Sequence, residues 1–307
     1  MNLIVSPSPH IHSKTTTNVI MRDVCIALMP SLIASIIIFG ARALLVTAVC
    51  VAVAILSEYL FEKIAHRPNT ITDFSAVITG LLLAFNLPVT IPLWQAALGS
   101  FIAIVLVKQL FGGLGRNFAN PAIVGRIILF LSFSNTMTKW QFPDAVSTAT
   151  PLSVMASGDM SALPSLKDMF LGLKGGCLGE VCALALLIGF IYLLVRGVIT
   201  WHTPVVFVGT VFLLSLAFTQ DPTYALYQVL SGGLLLGAIF MATDYVTTPS
   251  TVEGRVIFGL GCGLLTFMIR QYGSYAEGVS FAILFMNILT PYISKWTRHK
   301  PLGGVKS

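Results

Sequence analysis

Charged side chains are scarce in this sequence. They make up only 10% of its 307 residues, whereas 56% are apolar, and average soluble chains carry about 25% charged residues. A soluble fold of this length needs more polar surface, and a disordered chain needs more charge and fewer apolar side chains. The shortage of charge therefore excludes both classes and indicates a helical membrane protein.

Cysteines are also few, and their spacing fits neither a disulfide framework nor a metal cluster. The closest two of the five lie five positions apart, and no Cys-x-x-Cys pair occurs. Zinc and iron–sulfur ligands come in close sets, and disulfide scaffolds are short and cysteine-rich. We therefore expect free thiols. Nucleotide-binding loops, zinc-protease motifs and hydrolase triads are missing as well, and no basic run predicts a nucleic-acid partner.

Ten apolar segments can be marked along the chain. Their approximate bounds are 24–41, 43–61, 74–87, 91–107, 119–134, 176–196, 204–219, 223–243, 254–270 and 278–294. Lipid leaves no backbone group unpaired, and the sequence lacks the alternating strands of a membrane barrel, so only helices can span here. The predicted fold is an all-α polytopic membrane protein with about ten transmembrane helices.

The segments divide the chain into five predicted parts. These are an N-terminal tail at 1–23, a five-helix unit at 24–134, a loop at 135–175, a second five-helix unit at 176–296 and a C-terminal tail at 297–307. Ten spans place both termini on one side, which then holds twelve Lys and Arg residues against five on the other. The positive-inside rule therefore predicts cytoplasmic termini and an extracytoplasmic loop.

Short similarities link the two five-helix units. Residues 80–85, Gly-Leu-Leu-Leu-Ala-Phe, resemble residues 233–238, and residues 108–112 resemble residues 270–273. Each pair joins one segment to the fifth segment after it, and because five is odd the second unit would be inverted relative to the first. The similarity is short and rich in glycine, so chance is the alternative explanation.

Two segments at matching positions of the units are short or interrupted. Residues 74–87 form only 14 residues of helix, which reach about 21 Å, less than the ~30 Å hydrocarbon core. The segment 223–243 is interrupted by Gly232 and Gly233 and is followed by Asp244. Broken spans in inverted repeats point to a central binding site. A tilted or re-entrant helix without a ligand is the alternative.

Few ionisable groups fall within or beside the apolar segments. They are Glu58, Arg126, Glu180 and Asp244. Charges at membrane depth are unfavourable and usually functional, although those at span ends often reach the interface instead. These groups are too few for the sequence to predict a proton-carrying chain of acids.

The loop between the units holds an informative motif, Asp144-Ala-Val-Ser147-Thr-Ala-Thr150-Pro151. Thr150 before Pro151 is typical of a helix N-cap followed by proline at the first helical position. The pattern Asp-x-x-Ser-x-Ala-Thr also resembles the site at which a flavin transferase joins FMN to a threonine through a phosphodiester bond. On this motif alone the N-cap is the simpler interpretation.

Two further motifs support the second interpretation. Residues 115–122 match the pattern Gly-Arg-Asn-x-x-Asn-Pro-Ala, and residues 240–247 resemble Phe-Met-Ala-Thr-Asp-Pro-Val-Thr/Ser, with Tyr245 in place of the proline. From about Lys14 to Trp296, the chain resembles a family of membrane flavoproteins. This family includes the RnfD subunit of the Rnf electron-transport complex and the NqrB subunit of the Na+-translocating NADH:quinone reductase.

The resemblance implies a fold similar to that of urea transporters and two flavins. FMN would be bound covalently to Thr150, with Ser147 and Asp144 in the attachment motif, and riboflavin would be bound non-covalently within the membrane part. The candidate contacts of a non-covalent flavin are Arg116, Asn117, Asn120 and Asp244. Asn and Asp at helix ends also serve as caps, and we give that alternative equal weight.

The resemblance further implies an electron carrier in a complex that couples ferredoxin:NAD+ electron transfer to Na+ or H+ translocation. Its expected partners are the Rnf subunits A, B, C, E and G, a flavin transferase and the bacterial inner membrane, and the chain alone would not be catalytically complete. A flavin-free channel or transporter for a small neutral solute is the main alternative, because the fold alone does not decide function. A purely structural subunit is a third.

Overall fold

The computed structural model describes residues 16–140, 150–157, 163–273 and 277–298. In these ranges the chain forms helices and no strands. The helices are α1 Thr17–Phe39, α2 Ala41–Ile64, α3 Ser75–Phe85, α4 Leu93–Phe101, α5 Pro121–Ser132, α6 Ser134–Met137, α7 Pro151–Ser157, α8 Leu166–Leu171, α9 Ala183–Val195, α10 His202–Thr219, α11 Pro222–Leu230, α12 Leu234–Leu236, α13 Val252–Tyr272 and α14 Val279–Trp296. Helices α4 and α12 continue as π-helical turns, Ile102–Gln109 and Gly237–Met241.

Among the described residues, four helices, α1, α2, α10 and α13, are long and apolar enough to cross a membrane, and the bent pair formed by α11 and the α12 region forms a broken span or a re-entrant loop. Their outward surfaces carry large exposed apolar side chains such as Ile37, Leu56 and Leu213. Lipid accommodates such a surface better than water does. The protein is therefore an all-α polytopic membrane protein, as predicted. The other helices are too short to be counted as spans by length alone, so the total of ten spans stays a prediction.

Helix packing follows a similar pattern in the two units. Helix α2 packs against α3 and α4, and α10 packs against α11 and α13. Across the units, α1 packs against α9 and α5 packs against α14. Each of these pairs joins helices at matching positions of the two units, as a repeat would, and the inversion of the second unit stays a prediction.

The first helix of the second unit begins later than the predicted apolar segment. Residues 176–182 are mostly apolar, with Glu180 as the exception, but they are not helical, and α9 begins only at Ala183. In this stretch the N–H of Gly179 donates to the carbonyl of Phe85 (2.9 Å), and its carbonyl accepts from the Ser31 hydroxyl (2.9 Å). The predicted helix start at 176 is wrong because irregular backbone is tolerated at membrane depth where protein groups satisfy it.

The predicted interruption at Gly232 and Gly233 is present, and the α11–α12 pair bends there by 66°. Two cations hold the carbonyl end of α11. Lys174 donates to the Leu230 carbonyl, and Arg270 donates to the Ser231 carbonyl (3.0 Å). Positive groups at a helix C-terminus satisfy its free carbonyls and its dipole, so they stabilise the break.

Two of the lysines that the sequence places in loops are buried. Lys108 and Lys174 are each 2% exposed, so neither is a free loop charge. Without these two lysines, the count of Lys and Arg residues on the two sides changes from twelve against five to eleven against four. The predicted orientation is unchanged. All five cysteines are free, as expected.

Candidate cofactor-binding site

A cavity of about 310 Å³ lies where α1 and α3 begin and where α9 and the α12 region end. Its walls are mostly apolar, with Ile20, Leu82 and Phe240 among them. The residues with polar side chains along it are Thr17, Ser75, Thr79, Lys108, Asn117, Asn120, Thr243, Asp244 and Tyr245. Ligand sites typically combine such apolar walls with a few polar anchors, and their volumes start near this size.

Three of the four predicted non-covalent flavin contacts line this cavity. Asn117 and Asn120 precede α5, and Asp244 follows the π-helical end of α12. The fold thus brings together residues from two motifs that are far apart in the sequence. Arg116 is exposed and is not among the lining residues; its side chain lies over Gly112. The prediction of Arg116 as a contact therefore has no support from the fold.

Asn120 is the N-cap of α5. Its Oδ1 accepts from the N–H groups of Ala122 (3.0 Å) and Ile123 (3.4 Å), and Pro121 occupies the first helical position. Its own N–H donates to the side-chain oxygen of Asn287 (3.1 Å) in the amide orientation that satisfies both ends of Asn287. Helix capping, one of the two interpretations of this residue, is therefore confirmed.

Asp244 is held in a tight turn beside Asn117. Its carboxylate accepts from the hydroxyl of Thr247 (3.1 Å) and from the N–H of Val246 (3.5 Å), and Asn117 donates to the Ala119 carbonyl (3.0 Å). Burial raises the pKa of Asp244, against the lowering effect of hydrogen bonds from Thr247, Val246 and Asn117. The pair offers a carboxyl and an amide to a ring that carries both donors and acceptors.

Tyr245 occupies the position at which the family that this sequence resembles has proline. Its hydroxyl donates to the carbonyl of Val198, in the connection between α9 and α10, and both residues line the cavity. The phenol therefore ties together two walls of the cavity, a contact that proline cannot make. Sequence alone predicts only a change in the local turn.

Thr150 is the N-cap of α7. Its Oγ1 accepts from the N–H of Ser153 (3.2 Å), and Pro151 is the first helical residue. The capping interpretation is confirmed, and the flavin interpretation stays a prediction. The two are compatible because a phosphodiester oxygen can still accept a hydrogen bond. Ser147 and Asp144 lie outside the described residues.

Charged groups surround the helix break near α7. Arg126 pairs with Glu277 and donates to Ser280 (2.6 Å). The ligand atoms of Cys177, Glu180 and Glu277 lie within 4.8 Å of one another. Arg126 already pairs with one of the two acids and donates to the Cys177 sulfur (3.8 Å), and its positive charge disfavours a metal ion here. Sequence reasoning finds Arg126 but misses Glu277, its partner.

Helix α12 and its π-helical continuation join the two candidate sites. Leu152 of α7 packs beside Gly232, just before α12 begins, and Asp244 in the cavity wall follows where Met241 ends the continuation. The eight helical residues between these points, 234–241, span about 12 Å. Thr150 and the cavity are therefore at opposite ends of one short helical segment.

The apolar helices, the lipid-type surface and the cavity between a short and a broken helix define a multi-pass membrane protein with a candidate ligand site. The chain belongs to the NQR2, RnfD, RnfE family, whose sequence profile matches residues 4–303. The family predicted from the three motifs is thus confirmed.

Named relatives resemble the chain over almost its full length. It is 46% identical to the subunit named D of the Na+-translocating ferredoxin:NAD+ oxidoreductase complex of Acetobacterium woodii, covering 100% of this chain and 97% of the relative. It is 42% identical to the corresponding subunit of the proton-translocating ferredoxin:NAD+ oxidoreductase complex of Clostridium ljungdahlii (97% and 96%). It is 37% identical to that of the ion-translocating oxidoreductase complex of Alcanivorax borkumensis (99% and 97%).

Proposed function

We propose that this chain is the electron-carrying membrane subunit of an ion-translocating ferredoxin:NAD+ oxidoreductase complex, with FMN joined to Thr150 and riboflavin in the cavity. The observation that carries the proposal is the placement of the two candidate sites. They lie at opposite ends of the α12 segment, so electrons entering at one site would leave at the other. One relative is named for Na+ translocation and another for proton translocation, so the names do not decide which ion this complex would move.

Thr150 supplies the hydroxyl that a phosphodiester link requires. Its side chain is half-buried, and α7 seats it beside the helix break. A flavin transferase would approach this loop from outside the cytoplasm. A covalent tether suits that compartment, because a lost flavin could not be replaced there from the cytoplasmic pool.

The cavity would hold the second flavin through polar groups set in apolar walls. Asn117 and Asp244 would orient the ring, and the apolar side chains would exclude water. A flavin supplies one- or two-electron transfer, while the protein sets its position and electronic surroundings. Asn120 would line this site while capping α5.

The complex would supply what this chain lacks. The sequence carries neither a cysteine cluster nor a dinucleotide fingerprint, so we expect other subunits, among A, B, C, E and G, to exchange electrons with ferredoxin and NAD+. The expected location is the bacterial inner membrane, with both termini in the cytoplasm and Thr150 outside. Together these assignments make the chain one segment of a longer electron path.

In-gel flavin fluorescence of the denatured chain tests the covalent link. In a host that makes the transferase, we expect fluorescent bands for the wild type and for Thr150→Ser, which keeps the hydroxyl and the cap, and a dark band for Thr150→Val. The peptide containing Thr150 should be heavier by FMN less one water in mass spectrometry. A dark wild-type band would contradict the proposal and favour a flavin-free channel for a small neutral solute.

A further inference from the structure

A buried ion pair adjoins the cavity between α2 and the end of α4. Lys108 donates to both carboxylate oxygens of Glu58 (2.8 Å each) and to Ser75 Oγ (2.6 Å). Glu58 is 0% exposed and Lys108 2%. Removing such ions from water is unfavourable by several kcal/mol each, and ionisable groups at membrane depth typically mark ion or proton paths.

The hydrogen bonds continue from this pair toward the end of the bundle on two sides. On one side Ser75 Oγ donates to Asp73. On the other, the Thr70 hydroxyl contacts Glu58 (3.2 Å) and Glu62. Thr70 and Asp73 are only half-buried, so both branches reach the membrane face at which α2 ends.

The same groups form part of the cavity wall. Lys108 and Ser75 both line the cavity that also contains Asp244. Lys108 belongs to the π-helical continuation of α4, in which the N–H of Leu110 donates to the carbonyl of Val105 (3.0 Å). Such wide turns are rare and occur frequently at functional sites. The chain of polar groups therefore runs from the membrane face to the ligand space.

The charges around Lys108 are mostly negative. The negative groups that face Lys108 or the cavity are Glu58 and Glu62 of α2, Asp73 before α3 and Asp244 across the cavity. The positive group beside them is Arg67, which donates to the Gln109 carbonyl at the outer edge. With one buried lysine among these carboxylates, an added negative charge in the cavity is disfavoured unless a proton accompanies it. These surroundings favour coupled transfer of an electron and a proton.

We propose that Asp73, Ser75, Lys108, Glu58, Thr70 and Glu62 form a proton-conducting chain that protonates the redox ligand of the cavity when it is reduced. This inference rests on the proposed function, because it takes the ligand to be an isoalloxazine ring. Lys108 lines the cavity and is the proton donor to the ligand in this chain, and Glu58 is the residue that positions it. The chain thereby couples electron arrival to proton uptake from one face of the membrane.

The step balances as follows in atoms and charge. One electron passes from the flavin on Thr150, which is oxidised, to the ring in the cavity, which is reduced. An N–H bond of the Lys108 ammonium breaks, and its proton forms a bond to a ring nitrogen, which leaves a neutral amine. A hydronium ion of the bulk solvent then gives a proton to the Asp73 carboxylate and becomes water. Asp73 passes this proton to the Ser75 oxygen as the Ser75 hydroxyl proton moves to the Lys108 amine, so the Lys108 ammonium and the Asp73 carboxylate are both restored.

Proton uptake measured beside electron arrival tests the inference. The assembled complex in membrane vesicles is reduced by a light-triggered donor, while flavin absorbance and a pH-indicator dye are followed together. We expect Asp73→Asn, which keeps an acceptor for the Ser75 N–H (2.8 Å), to slow proton uptake at least about tenfold, as loss of a proton-transfer group does. Bound flavin should stay at the wild-type level in this variant, and electron arrival should slow together with proton uptake.

Ser75→Ala removes the link between Lys108 and Asp73 and should slow proton uptake similarly. Ser57→Ala is the matched control, because it removes a buried hydroxyl next to Glu58 on α2 and outside the chain. Wild-type uptake should also be slower in deuterated water. A merely structural role would lower flavin content, whereas loss of the proton chain slows proton uptake at unchanged flavin content.

The outcomes separate this inference from the proposed function. If the wild-type complex holds no non-covalent flavin, both the cavity assignment and the proton chain are wrong. If the flavin is bound and reduced but Asp73→Asn and Ser75→Ala take up protons at the wild-type rate, only the proton chain is wrong. Slowed proton uptake with unchanged flavin content supports both.

Discussion

Lys174 is a single buried cation whose protonation the surrounding protein opposes. Burial lowers its pKa from 10.5 to about 8, although Glu180 attracts the ammonium. Between these pH values the unfolded chain keeps a proton that the folded chain releases, so the free energy of unfolding rises with pH across the window. The unfavourable effect is fully present below pH 8 and amounts to about 3 kcal/mol.

Lys174→Met removes this titration while keeping most of the side chain's length. We expect the unfolding free energy of the wild type to rise by up to about 3 kcal/mol relative to the variant between pH 7 and about pH 10. Denaturation of the detergent-solubilised chain at both pH values measures the difference. If the unfolding free energies of the two proteins changed equally with pH, Lys174 would not titrate in this range.

Asp244 is the cavity residue whose removal should most directly weaken a bound ring. Asp244→Ala loses the carboxyl and the turn to Thr247, whereas Asp244→Asn keeps an oxygen that can accept from Thr247. We expect the alanine variant to retain about tenfold less non-covalent flavin, as a lost buried hydrogen bond implies, with the flavin on Thr150 unchanged. Unchanged non-covalent flavin in purified Asp244→Ala would refute the contact.

Single residues show where sequence reasoning succeeds and where it stops. Asn117, Asn120 and Asp244 were predictable because they stand in recognisable motifs, and the fold brings them to one cavity. The pairing of Lys108 with Glu58 was not, because the two are 50 positions apart and a lysine at a segment end reads as a loop charge. An acid buried at membrane depth, such as Glu58, requires a cation as its partner. That requirement is the one sequence signal that could have indicated a buried lysine.

At the scale of elements, the N-cap of α5 allows capping to be separated from ligand binding. Asn120→Ala should destabilise the protein by about 1 kcal/mol, whereas Asn120→Ser keeps a capping oxygen and should be nearly neutral. If Asn120 also contacts the flavin, the serine variant will recover stability but not non-covalent flavin. Recovery of both in Asn120→Ser would assign this residue to capping alone.

The irregular stretch before α9 depends on close approach of backbone to α3. A Cβ at Gly179 would lie 2.2 Å from the Cβ of Phe85, whereas a Cβ at Gly209 in α10 would meet nothing within 4 Å. We expect Gly179→Ala to destabilise the chain by about 1–3 kcal/mol through overpacking. Gly209→Ala should be neutral or stabilising, because alanine favours helix. Equal thermal stability of both variants in detergent would contradict this packing.

The elements themselves were predictable to different degrees. Apolar run length identifies the long helices α1, α2, α10 and α13, and Gly232-Gly233 marks the real break before α12. The stretch 176–182 was misassigned because its apolar composition is the same for a helix and for an irregular segment buried in protein. Its hydrogen bonds to α1 and α3 depend on tertiary packing, which no local pattern encodes.

At the scale of the whole molecule, orientation decides what the two sites exchange with. Both the cavity and the proton chain lie at the end where α2 finishes, whereas Thr150 caps α7, which packs beside Gly232 where α12 begins. With cytoplasmic termini, protons would enter from the cytoplasm and electrons would arrive from the outer face. The opposite orientation would reverse both assignments without changing any contact in the protein.

Cysteine labelling at the two ends of the bundle measures this orientation. Lys63, in the last turn of α2, and Ser157, at the end of α7, are both exposed, so each tolerates replacement by cysteine once the half-buried Cys25 and Cys182 are changed to alanine. A membrane-impermeant maleimide should label Ser157→Cys from outside intact cells and Lys63→Cys only in inverted vesicles. The excess of positive charge at the Lys63 end is the physical reason, because such loops are retained in the cytoplasm. The reverse labelling pattern would place the Thr150 flavin site in the cytoplasm, where neither an extracytoplasmic transferase nor inward electron flow through α12 could operate.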